Sequence, residues 1–168
     1  MDLNLVSLEE QLEAVKQNWG VIWDIRDPSL EVQLEAVKRY GYAIGYIKDP
    51  CLEVQLEAVK KNGGAIECIK DPSPEVQLAA VRQNGFAIWY IKDPCLEVQL
   101  AAVKQNGRVI WDIKNPCLEV CCVVYPELGE VLADPEIGFE EGPFRVKCGG
   151  RVRKLKERFP WIERVFIR

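Results

Sequence analysis

Seven cysteines, at positions 51, 68, 95, 117, 121, 122 and 148, are the residues of this 168-residue chain with the widest chemistry. They could hold a metal, close disulfides or act as nucleophiles. The vicinal pair Cys121-Cys122 with Cys148 comes nearest to a zinc site, but it lacks CxxC spacing and the chain contains no His to complete it. No metal is therefore expected. The absence of His also removes Ser-His and Cys-His nucleophile activation. No GxxxxGK[ST] or GxGxxG phosphate loop occurs. Carboxylate pairs such as Glu140-Glu141 stand beside no acid–base partner and read as solvated surface. An odd number of cysteines argues against a disulfide framework, and free thiols suit a reducing compartment. The expectation is a non-enzymatic, cofactor-free chain, with the cytoplasm as its default location. No signal peptide opens it, and no apolar run approaches the roughly 18 residues of a membrane span.

What remains with chemical character is a set of aromatic and charged side chains, and an internal repeat positions them. Asp-Pro pairs begin at Asp27, Asp49, Asp71 and Asp93, and Asn115-Pro116 follows, always 22 residues on. A degenerate copy starts near Leu5 and a broken one ends near Val124, as expected of end units with one unpartnered face. In the unit from Asp27, the spacing predicts an α-helix with Asp27 as N-cap, Pro28 in its first turn and Glu31 complementing its positive end. Leu30, Leu34 and Val37 form its apolar stripe, widened by Val32 and Ala36. Gly41 stops it by taking the left-handed conformation. A shorter helix over about Tyr42 to Ile47 follows, with Ala43, Ile44 and Ile47 on one face. Such units cannot bury their own apolar faces, whereas a stack can. The expected fold is mainly α: a right-handed α-solenoid of about five helix-turn-helix units over residues 1–124. A small α+β cap over 125–168 completes it.

The residues Glu75-Val76-Gln77-Leu78-Ala79-Ala80-Val81 and Asn84-Gly85, with their equivalents, resemble the HEAT-like family of helical repeats. The likeness is to short EVQLAAVKQNG-type units of uncharacterised bacterial and phage proteins. It spans about Leu5 to Val124 and implies a binding scaffold with no chemistry of its own.

Positions fixed between units should be those the stack needs, and positions that vary are free to serve a partner. On the second helix the variable slots fall at i, i+3 and i+4, opposite Ala43, Ile44 and Ile47. Along the array they read Gly20-Trp23-Asp24, Tyr42-Gly45-Tyr46, Gly64-Glu67-Cys68, Phe86-Trp89-Tyr90 and Arg108-Trp111-Asp112. This stripe holds three of the five Trp residues. Aromatics beside carboxylates suit a protein-binding face. Cover by the C-terminal segment or by a second copy, and partly exposed packing whose residues simply drift, are the alternatives for the same surface. The Glu31 and Gln33 rows read as structural ladders between neighbouring turns. Lys16, Lys38, Lys60, Arg82 and Lys104 form a basic row near the negative helix ends. Cys95 and Cys117 share one slot, filled elsewhere by Ser29 and Ser73, so that slot calls for a small residue.

Charge separates after the repeats. Arg145 to Arg168 carries nine bases against Glu157 and Glu163, preceded by an acidic, Pro- and Gly-rich stretch. "FRVKCGG" alternates like a strand, "RVRKLKERF" reads as a helix and "WIERVFIR" as a closing strand. Arg151, Arg153, Lys154, Lys156 and Arg158 are the residues that would meet a nucleic acid or other polyanion. Pairing of this segment with the acidic one before it is the plainer reading.

Three functions follow as expectations. The first is a scaffold that binds another protein, for example a phage or mobile-element inhibitor of a bacterial defence or regulatory complex. The second is a nucleic-acid-binding module using the basic segment. The third is a self-assembling structural protein or homodimer.

Overall fold

The computed structural model describes residues 3, 4, 6–113, 116–126, 138–140 and 145–147. The chain is mainly helical. Five units each pair an α-helix with a six-residue 3-10 helix, here written η. They are α1 Leu8–Gln17 with η1 Trp19–Asp24, α2 Leu30–Arg39 with η2 Gly41–Tyr46, and α3 Leu52–Lys61 with η3 Gly63–Cys68. Then come α4 Pro74–Gln83 with η4 Gly85–Tyr90, and α5 Leu96–Gln105 with η5 Gly107–Asp112. A shorter α6, Leu118–Val124, follows them. Each α-helix packs on the next, and each η on the next, and every η also fills the gap to the following unit's α-helix. Two strands, β1 Gly138–Glu140 and β2 Arg145–Lys147, form an antiparallel pair in which Phe139 lies opposite Val146. Of the strand read in "FRVKCGG", β2 covers Arg145–Lys147. The helix and closing strand read beyond it, Cys148, and the five basic residues from Arg151 to Arg158 lie outside the described residues.

The core is one continuous column. Each full unit buries Val, Ala and Val from its α-helix and a small residue and Ile from its η, as with Val54, Ala58, Val59, Ala65 and Ile66. This corrects the expected stripe. Val37, Val32 and Ala36 face inward as expected, but Leu30 is 44% exposed and Leu34 only partly buried. The second element is 3-10 because i→i+3 bonds close it: the Ala43 N–H donates to the Tyr40 carbonyl at 2.9 Å and Ile47 to Ile44 at 3.1 Å. Three residues per turn stack Gly41, Ile44 and Ile47 on one edge, which is the edge turned to the core.

Two local assignments change. The N-caps are Ser29, Cys51, Ser73, Cys95 and Cys117, two residues after the expected Asp. Asp49, Asp71 and Asp93 instead adopt left-handed backbone at φ 48°, 48° and 51°. Asp and Asn are the non-glycine residues that enter that region most readily, which accounts for the Asp at these three positions. The Gln row does not bridge units. Gln33, Gln55, Gln77 and Gln99 each donate from Nε2 to the carbonyl of their own unit's proline, at 2.8, 2.8, 2.9 and 2.8 Å.

The glycines after α2, α3 and α4 do not need a left-handed conformation; they need the absence of a Cβ. A Cβ on Gly41 would stand 2.5 Å from the Ala58 carbonyl of the next α-helix, and one on Gly63 2.6 Å from that of Ala80. The same glycines donate across the unit boundary: Gly41 N–H to Asn62 Oδ1 at 2.8 Å, Gly63 to Gln83 Oε1 at 2.7 Å and Gly85 to Gln105 Oε1 at 2.8 Å. At Gly107 the nearest atom to a Cβ would be Val124 Cγ1 at 3.7 Å, an ordinary contact. Gly63→Ala should therefore lower unfolding stability by about 1–3 kcal/mol through overpacking, while Gly107→Ala changes it by less than about 0.5 kcal/mol. Urea melts of the two variants check this, and equal midpoints would contradict the close-approach argument.

The N-caps give a second test. Ser29 and Ser73 accept from the Val32 and Val76 N–H groups at 3.4 Å, whereas Cys51 and Cys95 make no side-chain cap bond. Cys51→Ser and Cys95→Ser should each raise stability by about 0.5–1 kcal/mol. The same melts measure it, and a lowered midpoint would show that the thiol is preferred there for another reason.

Candidate functional site

The variable slots converge on the outer face of the η layer. Because Ala43, Ile44 and Ile47 turn inward, the residues between them turn out. Trp23 is 71% exposed, Trp89 57%, Trp111 and Tyr46 50%, and Tyr90 45%. Asp24, Glu67, Cys68, Arg108 and Asp112 are exposed as well, while Tyr42 and Phe86 are half-buried against the core. The structure thus brings all eleven residues expected at the site to one layer. They fall into two aromatic groups separated by unit 3, where the slots hold Gly64, Glu67 and Cys68.

The first group joins units 1 and 2. Trp23 packs at a tilt against Tyr46 with centroids 5.6 Å apart, and Trp19 lies 4.5 Å from Tyr40 and 6.4 Å from Tyr46. Tyr40 continues to Tyr42 at 5.4 Å. Trp19 and Tyr40 were not among the residues expected here. Their signal lay in the fixed slots: Trp19 stands where later units have Gly, and Tyr40 where the others have Asn. Aromatic stacking thus replaces the glycine–Asn contact at this one boundary. Tyr42 extends over Gly64, where any Cβ would collide with its hydroxyl. Burial, then the nearby Tyr90 and Glu67, pushes that hydroxyl's pKa up. The second group holds Phe86 and Trp89 at 4.9 Å. At the far end Trp111 meets Tyr125 edge-on at 6.4 Å.

Other chemistry is sparse. Among the described residues no three His, Cys, Asp or Glu side chains are grouped to hold a metal. Six cysteines there are free. No described helix is long and apolar enough to cross a membrane. The basic row of Lys38, Lys60, Arg82 and Lys104 is exposed on the α layer. A groove of about 450 Å3 opens there between α4 and α5, lined by Leu78, Leu100 and Ala101 with Arg82, Glu97 and Lys104. It presents charges of both signs and no convergent polar set.

No family model, curated protein or solved structure matches this chain. Function is therefore argued from its own surface.

The thiols report whether α6 is seated. Cys121 is fully buried, and burial, with Cys117 and Cys122 beside it, pushes its pKa up to about 12. Burial and Glu67 also raise Cys68. At pH 8 a maleimide should modify Cys51 and Cys95 fastest and Cys68 more slowly, with Cys121 reacting only in urea. A neutral thiol favours the fold below the ordinary thiol pKa of about 8.5, and that contribution is lost as pH rises from there toward 12. Mass spectrometry of labelled peptides checks the order. Cys121 reacting as fast as Cys51 would show α6 undocked.

Proposed function

We propose that this chain is a non-enzymatic protein-binding scaffold, a right-handed solenoid of HEAT-like short repeats that takes its partner on the outer face of the η layer. One observation carries the reading. The positions that differ between otherwise near-identical units are the ones where large aromatic rings stand about half or more exposed, in units 1, 2, 4 and 5. Solvent-facing Trp and Tyr add no core packing that Lys or Ser would not match. At an interface, though, they bring large rigid contact area at low entropic cost. Near-identical units with a divergent tail suit an inhibitor that occupies a bacterial complex, so a bacterial lysate is the appropriate source of partners.

The experiment is affinity capture from nuclease-treated lysate with the full chain and with its Trp23/Trp89/Trp111→Ala variant. A stoichiometric protein bound by the first and lost by the second is the expected outcome. The variant should stay folded, with a modestly lowered melt, since the three rings lie outside the core but each pairs with one neighbouring ring. A partner retained by the triple variant would move the site off the stripe.

A further inference from the structure

The stripe also states the chemistry of what it would hold, and this rests on the protein-binding reading above. Carboxylates occupy alternate units: Asp24 in unit 1, Glu67 in unit 3 and Asp112 in unit 5. All three are exposed, and no Lys or Arg among the described residues lies within ion-pair distance of them. Aromatic faces lie beside them. Units 1 and 5 carry the same pentapeptide, Val21-Ile22-Trp23-Asp24-Ile25 and Val109-Ile110-Trp111-Asp112-Ile113, so a partly exposed indole, paired with one Tyr, precedes an exposed carboxylate at both ends. Tyr46 and Tyr90 occupy one equivalent slot in the units between. Four of the five bases just after the η helices, Arg26, Lys48, Lys70 and Lys92, are each followed at once by an Asp and the fifth, Lys114, by Asn115, so the sign of the stripe is set by its three carboxylates against Arg108 and Lys114.

We infer that the stripe binds an arginine-bearing segment of a partner protein, with guanidinium groups pairing to Asp24, Glu67 and Asp112 and stacking on the neighbouring rings. Planar, weakly hydrated guanidinium serves both contacts at once, which an ammonium does less well. With helices packing about 8–10 Å apart, carboxylates two units apart lie roughly 16–20 Å from each other. An extended segment rising about 3.3 Å per residue matches that with arginines five or six positions apart. A second copy of this chain fits poorly. A two-fold pairing centred on unit 3 lays odd units on odd units, carboxylate toward carboxylate, with one Arg108 and one Lys114 per chain to offset them.

The test uses the full chain and a fluorescein-labelled peptide of three arginines separated by five-residue Gly/Ser spacers, read by anisotropy up to ~1 mM. Matching Lys and Glu peptides are run beside it. The Arg peptide should bind, the Lys peptide more weakly and the Glu peptide not at all. Binding should weaken at least tenfold in Asp24→Asn/Glu67→Gln/Asp112→Asn, which alters exposed groups and should leave the melt unchanged. Equal binding of the Glu peptide, or no loss in the neutralised variant, overturns the inference. So does absence of Arg-peptide binding. If binding then appears once Arg151, Arg153, Lys154, Lys156 and Arg158 are changed to Gln, the occupant is the chain's own basic segment. If sedimentation shows a dimer that the peptide does not compete with, the occupant is a second copy. A lysate partner lost in the Trp variant without Arg-peptide binding would leave the protein-binding reading standing and remove only the cationic partner.

Discussion

The whole array depends on a contact about as close as backbone can make: Gly41, Gly63 and Gly85 lying against the carbonyls of Ala58, Ala80 and Ala102 in the next α-helix. No side chain fits at these three positions, so each admits glycine alone. The distance fixes how deeply each η seats between two α-helices. Seated at that depth, a six-residue 3-10 helix suffices, because its small residue and Ile reach the Val and Ala side chains of both neighbouring α-helices. The N–H of each of these glycines faces an Asn or Gln oxygen of the following unit, so a polar group that would otherwise be buried without a partner gains one across the boundary. A 22-residue unit built this way is short because its second element needs only two turns.

That constraint divides the sequence. Slots that line the glycine contact, the Val/Ala/Ile column and the Gln–Pro carbonyl bond cannot drift without cost, and they hardly differ between copies. Slots on the outer face of η touch none of these, and there the copies diverge into Trp, Tyr, Glu, Asp and Arg. The exception reinforces the rule. At the boundary of units 1 and 2, Trp19 replaces the glycine and Tyr40 the Asn, and the two rings stack on each other in place of the backbone contact.

Much of this could be read from the residues. The period, the helical pairs and the outward turn of Trp23, Trp89 and Trp111 follow from spacing, since 22-residue identity and fixed Ala, Ile and Ile positions leave few ways to build a unit. The rest depends on distances between units, which a single unit's pattern does not encode. Gly41 looks the same in sequence whether it serves a left-handed turn or a close approach. Leu30 fits the apolar periodicity yet faces solvent, because the neighbouring α-helices pack on the narrower Val32, Ala36 and Val37 side. The chain reverses at Asp49 and the helix begins two residues later at Cys51, a shift that propensity does not resolve when Asp, Ser and Cys all stand near the start. Trp19 and Tyr40 were hidden because they occupy slots assigned to the scaffold.

The claim that most needs measurement is that the aromatic face is open in the whole chain. Hydroxyl-radical footprinting of the full-length protein, with mass spectrometry of the modified peptides, reads it residue by residue. The account predicts heavy oxidation at Trp23, Tyr46, Trp89, Tyr90 and Trp111, with Val54, Val59 and Ile66 protected. Protection of those rings to the level of the core, at a concentration where the chain is a monomer, would mean that its own residues cover the face and would contradict the account.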